Sequence, residues 1–320
     1  MLDELSDCEL QIDGIYGGGR AAYMEGRTSV ELGCLTGMEA IYGGSENADV
    51  GSDVELTISS GHFDKVFGGN NKGGRIFGSI TVNIEQTGCL PITIDELYLG
   101  GDNAPYSVYG YKDSTYTVNI NGENITHYGL KESGSKYNDP LLNLRSFVSI
   151  GTVYGGGNGI HATMVGNPKV DINITHGWIN GEYNGTIQSL SQYKGRPQQL
   201  ANDGVIGTVY GGGNSAKVIG STNVFIGDKL NDQVELKSMR TLYNSLGNSD
   251  KVKETVTISK TTVNSADAVK YTSNSDANVT ITQTVSQTVN GATITGNVYG
   301  GGNNADVTES ANIQVGPTIP

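Results

Sequence analysis

The chain has 320 residues, of which 47 are glycine and only 7 proline, and it carries a formal net charge of −13. Glycine without a three-residue period and without abundant proline excludes collagen. So acidic a surface, with no basic stripe to offset it, would repel DNA or RNA, so no nucleic-acid partner is expected.

No apolar run approaches the ~20 residues of a membrane span, so no membrane insertion is expected. The first residues are acidic and polar, unlike the apolar centre of a signal peptide. What organises the chain is Val209-Tyr210-Gly211-Gly212-Gly213-Asn214, which returns at Val153 to Asn158 and at Val298 to Asn303. Looser copies begin at Ile15, Ile41, Val66 and Leu97. The repeat aromatics are therefore Tyr16, Tyr42, Phe67, Tyr98, Tyr154, Tyr210 and Tyr299. A unit of about 25 residues fits the early steps, and longer steps read as insertions.

Taken in order, residues 1–13 read as the end of a preceding coil. Cys8 and Cys34 each lie eight residues before a repeat tyrosine, and Cys89 lies nine before Tyr98. Stacked thiols or a Cys8–Cys34 disulfide would both fit this spacing. Residues 14–96 are the most regular part, with alternating strands at Val54 to Ile58 and Ile80 to Ile84. Thr115 to Ile120 also alternates, and 121–148 reads as a polar insert. Val170 to Ile174 is a strand, followed by a second insert, 175–205, with the only tryptophan, Trp178. A third insert, 228–252, places Leu230, Val234, Leu236, Met239, Leu242 and Leu246 at roughly helical spacing. Thr255 to Ile258 and Val279 to Thr282 read as further strands of the stack that have lost the glycine marker.

In each clear copy, two alternating apolar pairs follow the opening apolar–aromatic pair: Ala216, Val218, Val224 and Ile226 after Val209. Three short strands per unit predict an all-β fold, a β-solenoid in which like residues stack on like. Asn158, Asn214 and Asn303 would form an amide ladder. The count would be roughly nine to eleven coils in one domain spanning 1–320.

Val-Tyr-Gly-Gly-Gly-Asn, then Ala-x-Val, then Asn-Val-x-Ile-Gly, closest at 209–227 and 298–316, resembles the repeats of large adhesin-like surface proteins of gut anaerobic bacteria. The resemblance implies a right-handed, single-stranded parallel β-helix, exported and displayed at the bacterial cell surface. This chain would then be a slice of a longer protein with flanking domains.

Chemistry is sparse. Gly-Gly-Gly-Asn lacks the Gly-Lys-Ser/Thr of a phosphate loop. Asp49, Asp53, Asp171 and Asp306 are scattered at strand edges, where solvated carboxylates are normal, and His62, His161 and His176 read as surface residues. No Cys-x-x-Cys supports zinc. Asn47, Asp49, Asp53, Asn303, Asn304 and Asp306 supply oxygens that would suit calcium; otherwise no cofactor is implied. The first expectation is a non-catalytic module that binds a glycan or a host surface protein through its inserts, with Trp178, Tyr183 and Tyr193 as the ligand-binding aromatics. The alternatives are a polysaccharide lyase or glycoside hydrolase, and a plain structural spacer.

Overall fold

The computed structural model describes residues 12–33, 35–86, 92–109, 115–120, 123–128, 136–179, 182–184, 204–234, 252–253, 266–273, 278–289 and 291–317. They belong to two compact units, one of residues 1–227 with 291–315, the other of 228–290 with 316–320. The described residues contain strands and no helix.

The first unit holds three parallel sheets. One joins Gly14–Tyr16, Leu35–Tyr42, Gly61–Phe67, Ile92–Tyr98, Ser149–Tyr154, Ile206–Tyr210 and Val298–Tyr299 in that order. Its register sets Ile15, Ile41, Val66, Leu97, Val153, Val209 and Val298 in one column and the seven repeat aromatics in the next. The second sheet joins Thr28–Leu32, Val54–Ile58, Ile80–Ile84, Leu141–Phe147, Lys169–Ile179, Thr222–Ile226 and Ala311–Val315. The short hairpin strand Glu182–Asn184 pairs with the far end of Lys169–Ile179. The third sheet has only Tyr106–Ser107, Met164–Val165 and Val218–Ile219.

These sheets correct the expected architecture. A right-handed, single-stranded parallel β-helix requires each unit to close as one three-strand coil, and no such closure is shown. Equivalent strands of successive repeats collect into separate sheets. In the segments equivalent to the third sheet, most repeats make only single bridges, such as Met24 with Val50 and Val50 with Ile76. The turn-rich sequence there supplies too few consecutive extended residues for a ladder. Among the described residues the first sheet has seven rows, not nine to eleven. Leu141–Phe147, inside the predicted 121–148 insert, is a regular row of the second sheet.

The second unit is antiparallel. Leu230–Val234 pairs with Asn278–Val289, which pairs with Ala266–Ser273, and that with Val252–Lys253. Here two further expectations fail. Leu230 and Val234 fit a helix at a spacing of four, but four is also an even step along a strand, and pairing with Val289 and Val285 decides it. Val279 to Thr282 belongs to this antiparallel pair and not to a parallel row. Thr255 to Ile258, Leu236, Met239, Leu242, Leu246 and the three cysteines lie outside the described residues.

Alternation explains the core. In Val54–Ile58 and Ile80–Ile84 every second residue is buried. Val30, Leu56, Val82, Leu142, Val170 and Val224 form one buried column of the second sheet. Each such side chain contributes roughly 1.5–3 kcal/mol by leaving water. The aromatics form a separate stack, with successive ring centroids 4.6–5.1 Å apart and planes within 13° of parallel. Phe67 and Tyr98 are fully buried, so the column packs the fold and offers no outward strip to sugars. Burial pushes the hydroxyls of Tyr42, Tyr98 and Tyr154 above the ordinary phenol range.

A polar column runs beside it. Asn303 Nδ2 donates to Asn214 Oδ1 over 3.0 Å, Asn214 Nδ2 to Asn158 Oδ1 over 3.0 Å, and Asn158 Nδ2 to Asp102 Oδ1 over 2.9 Å. Two rows earlier, the corresponding turns carry an ion ladder, with Glu46 between Arg20 at 3.2 Å and Lys72 at 2.7 Å. Half-burial raises the Asp102 carboxyl above its usual range, and the bond from Asn158 opposes this only in part. A raised carboxyl stabilises the fold fully below its unfolded pKa and loses that contribution as pH rises through its folded pKa. Asp102→Asn keeps the acceptor for Asn158 and removes the desolvated charge. The variant is expected to be more stable than the parent at pH 7, by up to roughly 1 kcal/mol. Its advantage should vanish toward pH 3, which paired urea titrations at the two pH values would check.

Candidate functional site

The outward residues of the second sheet are the ones free to carry chemistry, because its inward residues are core. Two outward columns matter. One runs Thr81, Leu141, Lys169, Asn223, Asn312; the other runs Asn83, Asn143, Asp171, Phe225, Gln314. At the second to fifth rows of these columns a groove of about 570 Å³ opens, lined by Asp139, Leu141, Asn167, Lys169, Ser221, Asn223, Phe225, Glu309 and Asn312.

Each wall is fixed from beneath. Phe225 occupies an outward position of Thr222–Ile226 and is half-buried. The Lys169 ammonium lies 4.5 Å from the centre of its ring and 3.6 Å from Asp171 Oδ2. Asp171 was expected among solvated carboxylates, but it is buried. Arg145 reaches it at 3.2 Å through both guanidinium nitrogens, and Asn173 donates to Oδ1. Opposite Arg145 the register shifts, Leu144 pairing with Ile172 and Ser146 with His176, so that two extra residues bulge on Lys169–Ile179 itself.

The rim is equally held. Asp139 Oδ1 accepts from the Asn167 backbone N–H over 2.9 Å, and Oδ2 from Lys136 over 3.2 Å. Glu309 Oε2 accepts from Ser221 Oγ over 3.0 Å. Asn312 Nδ2 donates to Asn223 Oδ1 over 3.0 Å. This leaves Asn223 Nδ2 as a donor and Asn312 Oδ1 as an acceptor with no partner among the described residues. The groove therefore offers an aromatic and an aliphatic surface, one cation, two carboxylates and three amides. Such a set can meet both apolar and hydrogen-bonding groups of a ligand.

Protein-family profiles, curated proteins and solved structures gave no match to this chain. The site thus rests on its own geometry.

Two of the aromatics singled out from sequence are not among the residues that line the groove. Trp178 and Tyr183 are register partners where Lys169–Ile179 meets Glu182–Asn184, so the chain does bring these two to one place. Tyr193 lies outside the described residues. Of the proposed calcium ligands, Asp49 is engaged by the Arg75 guanidinium at 2.7 Å and by the Arg75 backbone N–H at 2.7 Å. Asp53 accepts from the Ser79 backbone N–H over 2.7 Å. Among the described residues no three His, Cys, Asp or Glu side chains converge as a metal-binding group. His62 hydrogen-bonds Thr93 at 2.6 Å and faces Asp64 at 3.6 Å.

Sequence reasoning missed Lys169, Asn223, Phe225, Asn312, Asp139 and Glu309. One signal was present. Phe225 sits at an odd, outward position of a strand whose equivalents are Thr57, Asn83, Asn143, Asp171 and Gln314. An aromatic among outward polar residues is the exception that marks a surface.

Proposed function

We propose that the chain is a non-catalytic glycan-binding module of a bacterial surface protein, and that the groove over Lys169 and Phe225 is its ligand site. The observation that carries this is the pairing of Phe225 and Leu141 with unpartnered amide groups inside one groove. A pyranose presents an apolar C–H face and equatorial hydroxyls, and aromatic and amide groups side by side complement both. The two carboxylates already hold internal hydrogen bonds, which favours their orienting sugar hydroxyls over paired acid–base work. Cell-surface placement, and a host surface glycoprotein as the bearer of the glycan, follow from the repeat resemblance and belong to this same reading.

A glycan array followed by calorimetry tests it. Wild type is expected to bind at least one oligosaccharide, and Phe225→Ala to weaken it at least about tenfold, the equivalent of about 1.4 kcal/mol. Absence of binding to every glycan overturns the reading. Loss on Trp178→Ala with Phe225→Ala unchanged would move the site to the hairpin at Trp178 and Tyr183. Release of reducing or unsaturated ends would make the module an enzyme.

A further inference from the structure

A smaller groove, of about 210 Å³, is lined among others by Asp53, Glu55, Ser79, Thr81 and Asn138. It stands on the same outward column as the Lys169 groove. Register carries Glu55 to Thr81, Thr81 to Leu141, Leu141 to Lys169 and Lys169 to Asn223. The other wall is continuous as well. In the turns that precede the strands, side chains cap backbone N–H groups of the next row. Asp53 Oδ1 accepts from Ser79 over 2.7 Å, and Ser79 Oγ from Asn138 over 3.1 Å. Asp139 Oδ1 accepts from Asn167, and Asn167 Oδ1 from Ser221, each over 2.9 Å. Asn138 lines the smaller groove and its neighbour Asp139 the larger. The two grooves are therefore consecutive lengths of one line. From Glu55 to Asn223 it crosses five rows, about 19 Å at ~4.8 Å per row.

We propose that the two grooves act as one trough for a linear, uncharged, β-linked polysaccharide, which lies along the stacking direction with one sugar over each row. This rests on the glycan-binding reading above and names its ligand class. A pyranose with its equatorial linkage advances by about the spacing of one row and extends as a straight ribbon. Axial linkages coil, and would lift the chain off a straight trough. Each row supplies its own polar group. Ser79 Oγ accepts from Asn138 and keeps its proton to donate. The Thr81 hydroxyl has no partner among the described residues, and Glu55 Oε1 holds only a 3.4 Å bond from Asn83. Lys169 and Asn223 Nδ2 continue the series. Charge selects among chains. The grooves hold Asp53, Glu55, Asp139 and Glu309 against Arg27 and Lys169, and Lys169 already stands beside Asp171. Polyuronates and sulfated chains would be repelled.

Calorimetry with β-1,4-linked chains of glucose, mannose, xylose or N-acetylglucosamine, each from two to about six units long, tests this. At least one series should bind, and its affinity should rise at least about tenfold from two units to five. Glu55→Ala combined with Thr81→Ala should cut the ratio of five-unit to two-unit affinity at least about fivefold. The length series uses the unaltered protein, so it decides the matter even if the double variant fails to fold. Equal affinity for two and five units, tighter binding of a polyuronate, or an unchanged ratio in a folded double variant would overturn the inference and leave the glycan-binding reading in place. Failure of all four series while another glycan binds would do the same. Silence of every glycan removes the reading itself, and the inference with it.

Discussion

Gly156→Ala is expected to destabilise the fold by about 3 kcal/mol or more, while Gly301→Ala leaves it as stable as the parent. The second residue after each repeat aromatic is glycine in all seven copies: Gly18, Gly44, Gly69, Gly100, Gly156, Gly212 and Gly301. A Cβ on Gly156 would lie 2.6 Å from Gly213 N and 2.8 Å from Gly213 Cα, and one on Gly100 would lie 2.7 Å from Gly157 N. These obstacles are backbone atoms of the next row and cannot swing aside. The rows would have to separate, lengthening hydrogen bonds such as Gly156 N–H to Gly212 O at 3.1 Å. The column just before it is equally tight, a Cβ on Gly155 lying 2.2 Å from Gly211 O, and Leu99 is its one residue that is not glycine. Urea unfolding of both variants measures the difference. Equal stability of Gly156→Ala and parent would mean that the rows are less closely apposed than described here.

Tyr98→Ala should cost about 3–5 kcal/mol. The ring is fully buried between Phe67, 4.8 Å away, and Tyr154, 4.6 Å away, so truncation opens a cavity in mid-stack and removes two ring contacts at once. Its hydroxyl donates to Glu96 Oε2 over 3.2 Å and accepts from Asn214 Nδ2 over 3.4 Å, both long bonds. Tyr98→Phe should therefore lose only about 1 kcal/mol, as the occurrence of Phe67 in the same column suggests. A thermal melt of parent, Tyr98→Phe and Tyr98→Ala should rank in that order; equal melting of the two variants would show that the hydroxyl, not the ring, holds the site.

The aromatic and asparagine columns were legible in the sequence because each is marked by an invariant local phrase. Tyr154, Tyr210 and Tyr299 sit in nearly identical hexapeptides, and identical local geometry stacks identical residues. The strand Leu141–Phe147 was hidden for the opposite reason. It alternates as Leu142 and Leu144 inward with Asn143 and Arg145 outward, but it lacks the glycine phrase and lies in polar surroundings. Closure of one coil was inferred from three apolar pairs per repeat, yet apolar pairs say only that residues point inward, and two residues such as Met164–Val165 make a very short ladder. The groove was not legible because its walls come from residues 139 to 312, brought together only by register. The aromatics of the inserts attracted attention, while Phe225 was concealed within a strand of the repeat.

Distance along the chain has almost no bearing on distance in space within the tyrosine stack. Tyr16 and Tyr42 are 26 positions apart and Tyr210 and Tyr299 are 89 apart, yet their rings lie 4.8 Å and 4.9 Å from one another. A stretch as long as a small domain can thus be spliced between neighbouring rows while the rows themselves stay in touch. Such a framework can acquire, exchange or lose whole appendages during evolution, or at an engineer's bench, with its spine left intact.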